Sequence, residues 1–300
     1  MHSTPTNRLA YLALAAAGAL WGTSFLFGKI ALEEMGPAYL VLYRFVLASA
    51  VLIPFVPRIR PRISRRDVYL LLVGAFLMGP LMFLLQFEGL DRTTASSAAL
   101  IVGTAPPLMA IGGFLLDGER PTSVAWIAVL ISSIGVALLI GGPGAGRTFV
   151  GDLLVFISIV AAVVWTLLTR RVARRVGVVT ATTILFGIGT LILLPFAIAL
   201  EGPPPLALSS GAWMAIIALG FVCTAFTFWL WNWGLQHAQA SQAGIFNNLE
   251  PLVGAFLGVV LLGEQLGRLA VLGGAMVIAA AFVVSLDRPK KMREKTPARV

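Results

Sequence analysis

Residues 83–120, FLLQFEGLDRTTASSAALIVGTAPPLMAIGGFLLDGER, and residues 228–265, FWLWNWGLQHAQASQAGIFNNLEPLVGAFLGVVLLGEQ, are two copies of one stretch. Laid over each other without a gap they agree at 13 of 38 positions, against roughly three or four expected from shared apolar composition. The matches include Phe83/Phe228, Gly89/Gly234, Ala95-Ser96/Ala240-Ser241, Pro106/Pro251, Gly113/Gly258 and Gly118-Glu119/Gly263-Glu264. At nearly the same offset Trp21 meets Trp165. The chain is therefore read as a duplication, and the first question is what one copy builds.

Apolar runs bounded by Gly, Pro or charge recur near residues 9–32, 36–57, 68–88, 95–116, 124–141, 151–170, 178–200, 211–235, 240–262 and 268–286. A hydrocarbon core about 30 Å thick takes roughly 20 apolar residues per helical span. The spacing thus predicts an all-α, polytopic membrane protein of ten transmembrane helices, five per copy. Composition agrees, since 58% of the 300 residues are hydrophobic and 12% charged, where a soluble domain carries about a quarter charged. The run at 9–32 is too long for the apolar part of a signal peptide and reads as a retained first helix. Short connections with breakers, such as Gly141-Gly142-Pro143-Gly144 and Gly202-Pro203-Pro204-Pro205, make neighbouring helices antiparallel.

The net charge of +9 falls in short blocks between apolar runs rather than along one face, which suits membrane topology and not a nucleic acid partner. Counting Lys and Arg by alternate sides gives 17 against 3: Arg8, Arg58–Arg66, Arg120, Arg170–Arg175 and the tail from Arg288, against Arg92, Arg147 and Arg268. Positive loops stay in the cytoplasm, so both termini are expected there, in a bacterial inner membrane. The expected division is 1–145 (helices 1–5), 146–288 (helices 6–10) and a basic cytoplasmic tail, 289–300. An odd number of helices per copy starts the second copy on the opposite side, giving an inverted repeat. Such repeats are a common construction of secondary transporters, whose substrate sits near the midplane between them.

These residues also carry a family resemblance. The chain resembles the drug/metabolite transporter superfamily in its ten-helix EamA type with two EamA repeats. The resemblance covers nearly the whole chain and rests on Trp21-Gly22, Arg44-Phe45 and Leu249-Glu250-Pro251. It rests as well on an Ala-Ser-x-Ala start, a mid-helix proline and a closing Gly-Glu in both copies. Within the superfamily it is similar to the YddG-like exporters of aromatic and other neutral amino acids. The resemblance implies a secondary transporter that exports small amphipathic metabolites by alternating access, with no cofactor. The alternative within the superfamily is a multidrug or other metabolite exporter. Small four-helix relatives exchange protons for drug at a glutamate in the first helix, but helix 1 here has no acid before Glu33, so that mechanism does not carry over.

Helix 4 carries Ser96, Ala99, Gly103, Pro106, Ala110 and Gly113 at steps of three and four, and helix 9 repeats the stripe as Ser241, Gly244, Asn248, Pro251, Ala255 and Gly258. Small faces let helix backbones approach closely in lipid. Pro106 and Pro251 each remove a backbone hydrogen bond at membrane depth. They are expected to be symmetry-related kinks, beside the pathway as gating positions or simply as packing kinks. Around the second proline stand Asn247, Asn248 and Glu250. A carboxylate at that depth costs several kcal/mol unless it is protonated, paired or wet. Glu250 is either a helix-stitching group or one that meets a substrate amine or a coupling proton.

Two cations fall inside helices. Lys29 can snorkel and pair with Glu33. Arg44 is divided between a structural pairing and a contact to a substrate carboxylate, which a guanidinium suits. Glu88 is in range of either. Trp126 and Trp213 begin their helices and belong to an interfacial belt. Trp229 and Trp233 share a face with Phe226. Trp21, Trp165, Phe83, Gln86, Tyr43 and Trp231 are the candidates to line a cavity for an apolar or aromatic side chain.

One cysteine, Cys223, and two histidines exclude a disulfide framework and a Cys/His metal site. An intramembrane enzyme needs a nucleophile with its base or a metal pair at depth, and neither is present. A channel or membrane assembly protein would show a wide polar stripe or an extramembrane domain. The expected partners are a small-molecule substrate and the lipid bilayer, with the chain a monomer or weak homodimer.

Overall fold

A computed structural model describes residues 5–56, 63–117, 121–141, 146–237 and 246–286. Helices are the only regular structure among the described residues. They are α1 (Pro5–Leu32), α2 (Pro37–Leu52), α3 (Arg65–Arg92), α4 (Ala95–Val102 and Ala105–Asp117), α5 (Ser123–Gly141), α6 (Phe149–Val176), α7 (Val178–Glu201), α8 (Ser210–His237), α9 (Leu249–Leu261) and α10 (Arg268–Leu286). Seven are long and apolar enough to cross a membrane, and α5, α9 and α10 are shorter apolar helices. The chain is a multi-pass membrane protein. Side chains such as Leu130, Leu191 and Val260 stand exposed on its flanks, as a lipid-facing surface requires.

Local sequence sets the helix ends. Ser64 and Asp67 form a reciprocal capping box that starts α3, with Ser64 Oγ accepting from Asp67 N at 3.2 Å and Asp67 Oδ2 accepting from Ser64 N at 3.0 Å. Thr148 and Ser209 cap α6 and α8 with one bond each, their hydroxyls accepting from Gly151 N and Ala212 N. Gly177 (φ 89°) ends α6 and Gly202 (φ 79°) ends α7, in backbone conformations that favour glycine.

The expected continuous helix 4 is broken. Its two segments meet at Gly103-Thr104, and the Thr104 hydroxyl donates to the Ile101 carbonyl at 2.7 Å across the break. Pro106 is thereby placed in the first turn of the second segment, where a missing N–H costs nothing. Asn248, which aligns with Gly103 in the duplication, is likewise a turn residue before α9, and Pro251 lies in that helix's first turn. The kinks expected at these prolines are therefore breaks just before them. Residues 240–245 of the expected helix 9 lie outside the described residues. Two other helices depart from α geometry: Leu77–Leu84 of α3, which contains Pro80, and Ala218–Phe226 of α8 are π-helical.

The most extensive helix contacts join residues before 142 to residues after 148: α5 with α10, α1 with α9, α1 with α8, α3 with α6, α4 with α9 and α2 with α7. At the α5/α10 crossing a Cβ on Gly135 would stand 2.7 Å from the Gly273 carbonyl oxygen, so only hydrogen fits. Gly22 plays the same part where α1 meets Glu250 of α9.

Candidate functional site

Arg44 lies seven residues into α2, about 10 Å along its axis, and is 3% exposed. Its Nε donates to Thr224 Oγ1 of α8 at 2.7 Å. Thr224 is held in turn by donating to the Leu219 carbonyl five residues back, a spacing that the π-helical stretch of α8 supplies. The guanidinium stacks 4.5 Å from the centroid of Phe83 and 5.6 Å from that of Phe87, both on α3. These contacts use the faces and one N–H of the guanidinium. Its two amino groups bond to no described residue, and no described carboxylate forms an ion pair with it. A cation at this depth without a counter-ion is costly unless water or an anion meets it.

Glu250, in the first turn of α9, is half-buried and acts electrostatically on Arg44. It forms neither an ion pair nor a hydrogen bond with any described residue. An arginine of one copy and a carboxyl of the other thus act on each other without a direct contact. Cys223, next in the chain to Thr224, has its Sγ 3.2 Å from Thr23 Oγ1. Gln86 is buried and its side chain bonds to no described residue. Asn248 is buried at the break before α9, and Asn247 beside it is half-buried.

A run of aromatic rings borders this centre. Trp231 meets Trp21 at 5.1 Å, Trp21 meets Phe228 at 5.6 Å and Phe228 meets Phe186 at 5.9 Å. Phe186 meets Phe45 at 4.9 Å, and Phe45 meets Phe83 at 5.3 Å beside Arg44. Trp21, Trp231, Phe83 and Arg44 thus belong to one assembly. Tyr43 does not, because it stacks on Trp213 at 5.8 Å and donates to the Pro205 carbonyl in the connection between α7 and α8. Trp165 is also apart: it packs beside Gly74 of α3, with its indole N–H unpartnered.

Other expectations change in detail. Glu88 pairs with Arg92 at 2.8 Å, one turn on, rather than with Lys29 or Arg44. Lys29 donates to the Asp91 carbonyl at 3.5 Å instead of pairing with Glu33. Phe226 stacks on Trp229, and Trp233 on His237. Phe226 and Trp229, with Phe55 and Phe221, line an apolar lateral groove of about 290 Å³ that takes in none of the polar groups above. Thr224, Phe87, Phe186 and Phe45 are site residues that sequence reasoning passed over. Phe228 had a signal, since it repeats Phe83 in the duplication.

The whole chain resembles known proteins. The model of the EamA-like transporter family matches twice, over residues 8–141 and 149–286. An uncharacterized transporter of Archaeoglobus fulgidus is 28% identical over 285 residues, 93% of this chain and 98% of that protein. The uncharacterized transporter YetK of Bacillus subtilis is 28% identical over 302 residues, 96% of this chain and 90% of its own. Among solved structures, one chain superposes with a TM-score of 0.62 at 22% identity, over 91% of this chain and 95% of its own. That likeness speaks for the fold alone.

Proposed function

As the chain belongs to the EamA-like transporter family, we propose that it is a secondary transporter exporting small amphipathic metabolites, amino acids with aromatic or neutral side chains first among them. It works by alternating access between two inverted five-helix repeats, with ten membrane crossings and both termini in the cytoplasm of a bacterial cell. The repeats are 1–145 and 146–288, followed by a basic tail. The observation that carries the substrate reading is that Arg44 and Glu250, one from each copy, act on each other electrostatically without forming an ion pair. A zwitterion matches that pair, with its carboxylate on the free amino groups of Arg44 and its ammonium on Glu250. Gln86, Asn247 and Asn248 add neutral polar contacts. The rings of Trp21, Phe83 and Trp231 take the side chain.

The helix contacts support the inverted symmetry. Exchanging each helix with the one five places along leaves α2/α7, α4/α9 and α5/α10 unchanged and turns α1/α8 into α3/α6. A two-fold relation between repeats has that consequence. The broken helices α4 and α9, interrupted at aligned positions, supply loosened backbone of the kind tolerated beside a wet pathway.

The test is efflux from proteoliposomes loaded with a panel of radiolabelled amino acids and amphipathic drugs, with and without a pH gradient. Neutral and aromatic amino acids are expected to leave faster than from protein-free vesicles. Arg44→Lys, which loses the planar fork, is expected to lower efflux about tenfold or more. Should no amino acid move, the reading is wrong, and movement of lipophilic cations alone would put a drug exporter in its place.

A further inference from the structure

The end of the bundle where α4 begins is held by a carboxylate contributed from the other repeat. Glu264, in the connection between α9 and α10, accepts from Ala95 N at 2.6 Å through Oε1. Through Oε2 it accepts from Ser96 N at 2.8 Å and from Ser96 Oγ at 2.6 Å. These are orphan donors of a helix's first turn, facing the positive end of its dipole, so a carboxylate there forms charge-assisted bonds. The fit leaves no slack, since a Cβ on Gly258 would stand 2.5 Å from Glu264 Oε2 and 2.8 Å from Ser96 N. Lys29 of α1 acts electrostatically on Glu264 and donates to the Asp91 carbonyl just before α4. The carboxylate and the helix start that receives it are both duplicated in sequence, Gly263-Glu264 repeating Gly118-Glu119 and Ala95-Ser96 recurring as Ala240-Ser241.

We propose that the Glu264 carboxylate seated on the first turn of α4 is the closure of the pathway at this end, and that substrate passes this end only when it lets go. The closure acts on the site described above and so rests on the transport reading. Glu264 is a positioning residue: it touches no substrate, and it holds α9, which carries Glu250, against α4.

The experiment uses the whole protein in proteoliposomes and its own thiol as reporter. Cys223 is fully buried beside Thr23 and near Arg44. A membrane-impermeant maleimide is applied to one face at a time. Glu264→Ala is expected to raise labelling of Cys223 about tenfold from the face where α4 begins, with little change from the other. Glu264→Gln, which keeps one acceptor oxygen, is expected to fall between Glu264→Ala and wild type, and so is Ser96→Ala, which removes one of three donors. If Glu264→Ala does not fold, these two variants decide. Folded variants that label at the wild-type rate from that face, with wild-type efflux intact, overturn the closure. Efflux absent for every solute in wild type overturns the transport reading instead, while the labelling still reports on the closure.

Discussion

Residue by residue, much of the centre is visible in the chain, but its partners are not. An arginine inside an apolar run, a carboxylate beside a proline and a pair of tryptophans at matched positions are anomalies that any reading of a membrane span picks out. What each touches depends on other helices, from about forty residues away for Phe83 over Arg44 to 180 for Thr224. Thr224 reaches Arg44 only because α8 is π-helical there, and no pattern in Ala218–Phe226 announces that. Glu34 is a case where a single residue makes a testable difference. It lies between α1 and α2, outside the spans, and the hydroxyl and amide of Ser209 hold its carboxyl below its ordinary 4.5. A carboxyl depressed in the folded state contributes stability above its ordinary value and loses it as pH falls through the lowered one. The Tm advantage of wild type over Glu34→Gln is thus expected to stay level down to about pH 4.5 and shrink in stronger acid. A gap that persists unchanged across an acid series of thermal melts would refute this.

Helices were legible in existence and approximate length because a 30 Å apolar layer leaves a chain few options. Their interruptions were not. Pro106 and Pro251 announce a weak point, but a proline is compatible with a kink at itself or a break just before it. Here the break falls at Gly103-Thr104, with Thr104 donating back across it. The consequence is measurable. Pro251→Ala, in a first turn, is expected to change stability by less than about 1 kcal/mol. Gly135→Ala, at the α5/α10 crossing, forces a Cβ to 2.7 Å from a carbonyl oxygen and is expected to cost about 1–3 kcal/mol as overpacking. Thermal unfolding in detergent compares the two, and the reverse order would mean that the crossing is looser than described.

At the scale of the molecule, the duplication was the strongest signal in the sequence, yet it does not say how two copies sit together. The contacts answer that: α1 of the first copy packs on α8 and α9 of the second, and α6 of the second on α3 of the first. The two copies are thus interlocked through their helices rather than set side by side. Sidedness is tested by cysteines placed at Ser64 and Gly146 in a Cys223→Ser background. Impermeant labelling is expected from opposite faces, and labelling of both from one face would overturn the arrangement.

Interlocking of this kind also bears on how the protein is made. When the ribosome has delivered the first 141 residues, the small-residue faces of α1, α4 and α5 are in the bilayer but the helices that cover them have not been synthesised. Those faces stay uncovered until α6–α10 have been made. Their pairing is therefore expected to come late in synthesis, and a chain cut after residue 141 is expected to lose the partners of α1, α4 and α5.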